Sequence, residues 1–253
     1  MKLLIDFLFR FGCGLSLALV LTPTSIVTAG FFRVNLLVVL GIATFAALLT
    51  RTAIAGQFWI LPAVAAIAAW MGSIVWLAER KRTGIAFCLV CAALLAAATV
   101  LLPTGVATHA SPLASIMQAA VRLLSGLVVG LTVHAMLLGH WYLNAPGMRV
   151  DALRQLIDWA LVAWGAQLAV AVFGAVVAGG LVAGHTAGRG VDSAAIALVS
   201  LRWLAGLVGL PILLWLSRKT LDIPNTQSAT GILYVACLAA IVGELTAQLL
   251  QAA

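Results

Sequence analysis

Eight long apolar runs, separated by short polar breaks, constrain this chain more than any other feature of its sequence. They cover about residues 6–22, 34–50, 57–77, 84–103, 116–142, 155–184, 193–217 and 227–250. An α-helix needs roughly 17–25 such residues to cross the hydrocarbon of a bilayer. The chain is 64% hydrophobic and 8% charged, against about a quarter charged in a soluble domain, so a water-facing surface cannot be built from it. Lipid must solvate it, and in lipid a helix satisfies its own backbone hydrogen bonds. No run alternates with period two, which argues against a barrel. The expected fold is all-α: a polytopic transmembrane bundle of about eight spans, forming one integral-membrane domain over residues 1–253.

The breaks carry turn chemistry, as in "ERKRTG" at 79–84, "PTGVATHASP" at 103–112, "NAPGMRVD" at 144–151, "GHTAGRGVDS" at 184–193 and "SRKTLDIPNT" at 217–226. The sixth run is long for one span and is expected to tilt, or to fray at Gly179-Gly180. The first run is read as an uncleaved span: Asp6 and Arg10 interrupt it, and no small-x-small site follows.

A net charge of +7 would suggest nucleic acid in a soluble protein. Here the cations cap apolar spans, and no nucleic-acid partner is expected. One set of ends holds Arg33, Arg80, Lys81, Arg82, Arg149, Arg154, Arg218 and Lys219; the other holds Lys2, Arg10, Arg51 and Arg189. The first set is the richer, which places it in the cytoplasm and both termini outside. The chain therefore reads as a multi-pass protein of a bacterial inner (plasma) membrane. No internal repeat is evident, which weakens an inverted-repeat transporter.

Charged groups inside a span are costly and are either paired or functional. Arg122 and Glu244 lie roughly 9–10 Å outside the midplane, from the 1.5 Å rise per residue. They are expected to pair and hold helices together; the competing reading is a proton-linked or ligand-binding site in the outer leaflet. Arg202 falls near the centre of the seventh run, with Gln167 and Gln248 adding polar groups. His134 and His140 share the fifth span, but six residues turn about 240°, so they cannot hold one haem or metal between them. His109 and His185 belong to outer loops, where a shared metal or haem is geometrically allowed.

At the cytoplasmic end, His140, Trp141 and Tyr142 share a depth with Asn225, Gln227, Ser228 and Tyr234, and Asp158 starts the sixth span from the same side. A pocket of His140, Trp141, Tyr142, Gln227 and Ser228 would suit a quinone ring or a lipid headgroup. The competing reading is an interfacial aromatic belt with Asn225 as a helix cap. "CLVC" at 88–91 sits on an apolar helix and reads as packing, and all four cysteines lie in apolar runs. The glycines of "GLVVG" (126–130) and "AGLVGLP" (205–211) offer faces for close helix contact. No hydrolase, NTPase or zinc motif is present, so enzyme status is open and no metal is expected within the chain.

With "AGFFRVN" (29–35), "LGHWYLNAPGM" (138–148) and "NTQSATGILYV" (225–235), the chain resembles a group of uncharacterised bacterial eight-span inner-membrane proteins, a likeness that implies architecture and no activity. With "RWLAGLVGLP" (202–211) it more loosely resembles the quinol-interacting membrane anchors of dimethyl-sulfoxide-reductase and polysulfide-reductase type. That likeness implies a subunit of an electron-transport complex, with other membrane subunits as partners and a bound quinone or lipid as its only cofactor. The alternatives are a small-solute or ion transporter or channel using Arg122, Arg202 and Glu244, and a purely structural subunit. Transport predicts a continuous polar path between the two polar clusters.

Overall fold

The computed structural model describes residues 1–54, 56–102, 112–145, 149–177, 193–223 and 225–252. They form α1 (Lys2–Leu21), α2 (Ala29–Ala53), α3 (Ile60–Leu77), α4 (Lys81–Leu101), α5 (Pro112–Asn144), α6 (Asp151–Val177), α7 (Ser193–Leu201), a π-helical segment (Arg202–Gly209), α8 (Leu210–Thr220) and α9 (Thr226–Ala252). The described residues contain no strand. Eight stretches are long and apolar enough to cross a membrane, the seventh running from Ile196 to Thr220 through the π segment. Each of the eight expected runs thus overlaps one of these helical stretches. Several begin earlier than the sequence reading placed them, because Arg33, Lys81 and Arg82 lie exposed within helical first turns instead of ending helices. Gly179-Gly180, His109 and His185 lie outside the described residues.

The helices form two rings of four. In the first, α1 contacts α2 and α4, and α3 contacts α2 and α4; in the second, α5 contacts α6 and α9, and the seventh span, through α8, contacts α6 and α9. Both rings have the same neighbour order along the chain, and they meet through their first helices, α1 and α5. This repeated connectivity was not evident in the sequence. The two central helices run parallel: Asp6 meets Arg122, Arg10 meets Ser125, and Thr22 meets His134.

Glycine makes this seam possible. A methyl group added at Gly14 would overlap the Gly126 carbonyl, at Gly126 the Arg10 carbonyl, and at Gly130 the Gly14 backbone. Close backbone approach brings many atoms of the two helices into contact, and only glycine permits it here. The second close crossing joins the π segment to α9, where a Cβ on Gly206 would sit 3.1 Å from the Gly243 Cα. Both glycine faces expected from the sequence are therefore used.

The π segment has a local cause. The Leu210 N–H bonds the Ala205 carbonyl, five residues back. That register asks Pro211 to donate to Gly206, and proline has no N–H. The Gly206 carbonyl instead accepts the Trp164 indole N–H of α6 at 3.2 Å. Hydroxyl residues solve the same problem within single helices. Ser16, Thr50, Thr99, Thr132 and Thr230 each donate to the carbonyl four residues back, as side chains must where water is excluded.

Candidate functional site: a buried charge network and the cavity beside it

Four ionic side chains meet about two turns inside the end of the bundle that carries the chain's termini. Arg10 bonds Asp6 at 2.5 Å through Nη2 and Glu244 at 2.6 Å through Nη1, and Arg122 bonds the other Asp6 oxygen at 2.5 Å. All four residues are buried. Two cations and two anions sum to zero, which a low-dielectric interior requires. The expected direct Arg122–Glu244 pair is corrected. Arg122 takes Asp6, and Glu244 takes Arg10, because the parallel α1–α5 seam places Asp6 opposite Arg122. Asp6 and Arg10 were missed as members of the network: both were read as interruptions of the first apolar run, and Arg10 also as an orientation charge. Their spacing of four was the available signal, since it puts an acid and a base on one helical face.

Glu244 is the junction. Its Oε1 accepts from Arg10 and from the Gln248 amide at 2.9 Å, and lies 3.1 Å from the Ser125 hydroxyl, whose single proton it shares with the Arg122 carbonyl at 3.0 Å. Its Oε2 accepts no hydrogen bond from the described residues. Glu244 also lines a cavity of about 60 Å³ between α5, α6, the π segment and α9, together with Ser125, Trp164, Gln167 and Arg202. Arg202 makes no hydrogen bond or ion pair among the described residues. The sequence placed Arg202 near mid-span. The structure sets it one turn beyond the Gly206–Gly243 crossing, towards the termini, so it reaches the same cavity as Glu244. At roughly 10–15 Å³ per water, this space holds a few waters or a small ion, and a quinone ring does not fit.

The cavity does not continue through the bundle. It ends at Val128, Val129, Leu210 and Ala240. Beyond these, Leu131, Ala135, Leu138, Leu233 and Ala236 are buried in one apolar core. The continuous polar path expected of a transporter is therefore absent from the described residues.

His134 is a packing residue within that barrier. It is fully buried, its Nε2 lies 2.8 Å from the Thr22 hydroxyl, and its ring is 5.1 Å from that of Phe31. The single Thr22 proton goes to the Ala18 carbonyl, so Nε2 is the protonated nitrogen and donates to Thr22.

At the opposite end, the five residues expected to form one pocket do not converge. The Trp141 ring lies 5.7 Å from Phe31 and covers Gly30, on α2. The Tyr142 hydroxyl donates to the Arg149 carbonyl at 2.5 Å. His140 Nδ1 lies 3.3 Å from the Tyr234 hydroxyl on α9. Gln227 and Ser228 are exposed, and the Ser228 N–H bonds Asn225 Oδ1 at 3.0 Å, the helix cap. Asp158 pairs with Arg218 at 2.9 Å.

No family model, curated protein or solved structure matches the chain. What the site can do is therefore argued from its own groups. The described residues hold no cluster of three metal-ligating side chains, and Cys13, Cys88, Cys91 and Cys237 are buried free thiols. Cys91 Sγ contacts the Ala65 carbonyl at 3.6 Å, in keeping with helix packing. The cavity offers a carboxylate oxygen, a guanidinium with no partner among the described residues, an amide and a hydroxyl. These are groups able to ligate a hydrated ion.

Proposed function

We propose that this chain is a multi-pass protein of the bacterial inner membrane that carries a small ion, or a solute coupled to one, by alternating access. Its placement in lipid is supported by Ile67, Leu204 and Leu238, each 60–69% exposed on faces that water would penalise. The positive-inside count places both termini outside. The observation that carries the functional reading is that Arg202 and the Oε2 of Glu244, neither of which has a hydrogen-bond or ion-pair partner among the described residues, line one cavity. An unneutralised guanidinium inside a span is expensive unless something it binds compensates it. The apolar barrier runs against the continuous path the sequence led us to expect of transport and sets an open channel aside; alternating access is the form of transport that keeps such a barrier in any one state. The repeated ring connectivity is also found among carriers built from parallel repeats. Motion would fall at the π segment, whose backbone is the least regular next to the cavity.

The test is the purified chain in proteoliposomes on a solid-supported membrane, challenged with jumps of sodium, potassium, chloride, acetate and pH. Wild type is expected to give a transient current with at least one of them. R202Q removes no hydrogen bond or ion pair to the described residues and should leave the thermal unfolding profile unchanged. It should still weaken apparent affinity by about tenfold or more, equivalent to about 1.4 kcal/mol of binding. Silence to every ion, or an R202Q response equal to wild type, refutes the reading.

A second reading, a quinone-binding subunit of a redox complex, is favoured by one observation, the His140–Tyr234 contact on a partly exposed face. An imidazole and a phenol side by side can hydrogen-bond a quinone carbonyl. Lipid extracts of the purified protein should then contain quinone near stoichiometric amounts, and H140A should lose it. Extracts without quinone end this reading.

A further inference from the structure

A groove of about 510 Å³ runs along one face of α6, lined by Asp151, Arg154, Gln155, Asp158, Trp159 and Val162 and closed on one side by Arg218 of α8. It lies at the end of the bundle opposite the charge network, where α6 begins and α8 finishes. We propose that it is a binding site for the phosphodiester headgroup of an anionic phospholipid. The inference is independent of the transport reading and needs only that the chain lie in a bilayer.

Charge complementarity carries the argument. Around the groove, Arg149 pairs with Asp151, Arg218 with Asp158 and Asp222, and Arg154 and Lys219 with Asp222. Four cations against three carboxylates leave an excess of one positive charge, which one phosphodiester monoanion neutralises. Donors remain to meet it. Arg218 spends Nε on Asp158 and Nη1 on Asp222, leaving Nη2 without a partner among the described residues. Arg154 spends Nη2 on the Leu221 carbonyl and on Asp222, leaving Nη1. Both guanidinium groups are about 30% exposed.

The groove also has a lipid's polarity gradient. From Asp158 to Val162 is one helical turn, about 6 Å. Over that distance the lining passes from an ion pair to Trp159, 40% exposed, and Val162, 59% exposed. A headgroup at the arginines places its acyl chain along those two side chains. Indole at this level is the usual interfacial anchor.

The experiment uses the full chain in phosphatidylcholine vesicles containing, at equal mole fraction, either brominated phosphatidylglycerol or brominated phosphatidylcholine. Quenching specific to Trp159 is read as the difference from a W159F variant. The preference for phosphatidylglycerol should be about fivefold, as one net cation near the surface provides. It should vanish in R154Q/R218Q and increase in D222N, which removes the carboxylate competing for both arginines. An increase cannot arise from misfolding, so D222N keeps the test decisive if the double variant is unstable. Equal quenching by the two lipids, or no gain in D222N, overturns the proposal. Loss of the preference on adding excess inorganic phosphate would also overturn it, by identifying a free-anion site.

Discussion

Replacing Arg10 with methionine is expected to destabilise the protein by roughly 3–5 kcal/mol, the range for removing one partner of a buried ion pair. Arg10 bridges Asp6 and Glu244. Without it Asp6 keeps Arg122, but Glu244 retains only a hydroxyl and an amide for its charge. The measurement is thermal unfolding of detergent-solubilised protein. The double variant R10M/E244Q should recover most of the loss, because the orphaned carboxylate is gone. This asymmetry separates a charge effect from lost packing volume, which the second substitution would not repair. R10M as stable as wild type would mean that the four charges are not a closed network.

Gly126→Ala should damage the protein comparably, through sterics. The added methyl would occupy the position of the Arg10 carbonyl, and a helix backbone has no rotamer with which to yield. Overpacking against side chains costs about 1–3 kcal/mol; against backbone it should reach the top of that range or exceed it. Separating α1 from α5 also pulls Asp6 from Arg122, so the steric and ionic losses couple. Gly41, Gly165 and Gly231 are the controls: a Cβ there meets nothing within 4 Å. Alanine at those sites should be neutral or stabilising by up to about 1 kcal/mol, from helix propensity alone. If Gly126→Ala unfolds no earlier than Gly165→Ala, the seam is not as close as described.

The span count was legible because length and apolarity are local properties, and a bilayer leaves helices few alternatives. The glycine faces were legible for the same reason: spacings of four place Gly126 and Gly130 on one side. The ion pairing was not. Arg10 and Glu244 are 234 residues apart, and Arg122 and Asp6 are 116 apart, and nothing local says which helices are neighbours. The pocket of His140, Trp141 and Tyr142 failed for a reason the sequence already contained. Consecutive helical residues diverge by 100°, so a shared depth gave them no shared direction. Arg202 was misplaced because the π segment and the Gly206–Gly243 crossing, which set its level, depend on Pro211 and on α9 together.

The reach of Arg10 to Glu244 has a consequence for biosynthesis. Asp6 and Arg10 lie one turn apart, so α1 is neutral over this pair on its own. Arg122 arrives with α5 and brings an excess positive charge to the seam. That charge stays uncompensated until α9 delivers Glu244. A chain that has not yet made α9 therefore carries one unbalanced positive charge at the α1–α5 seam.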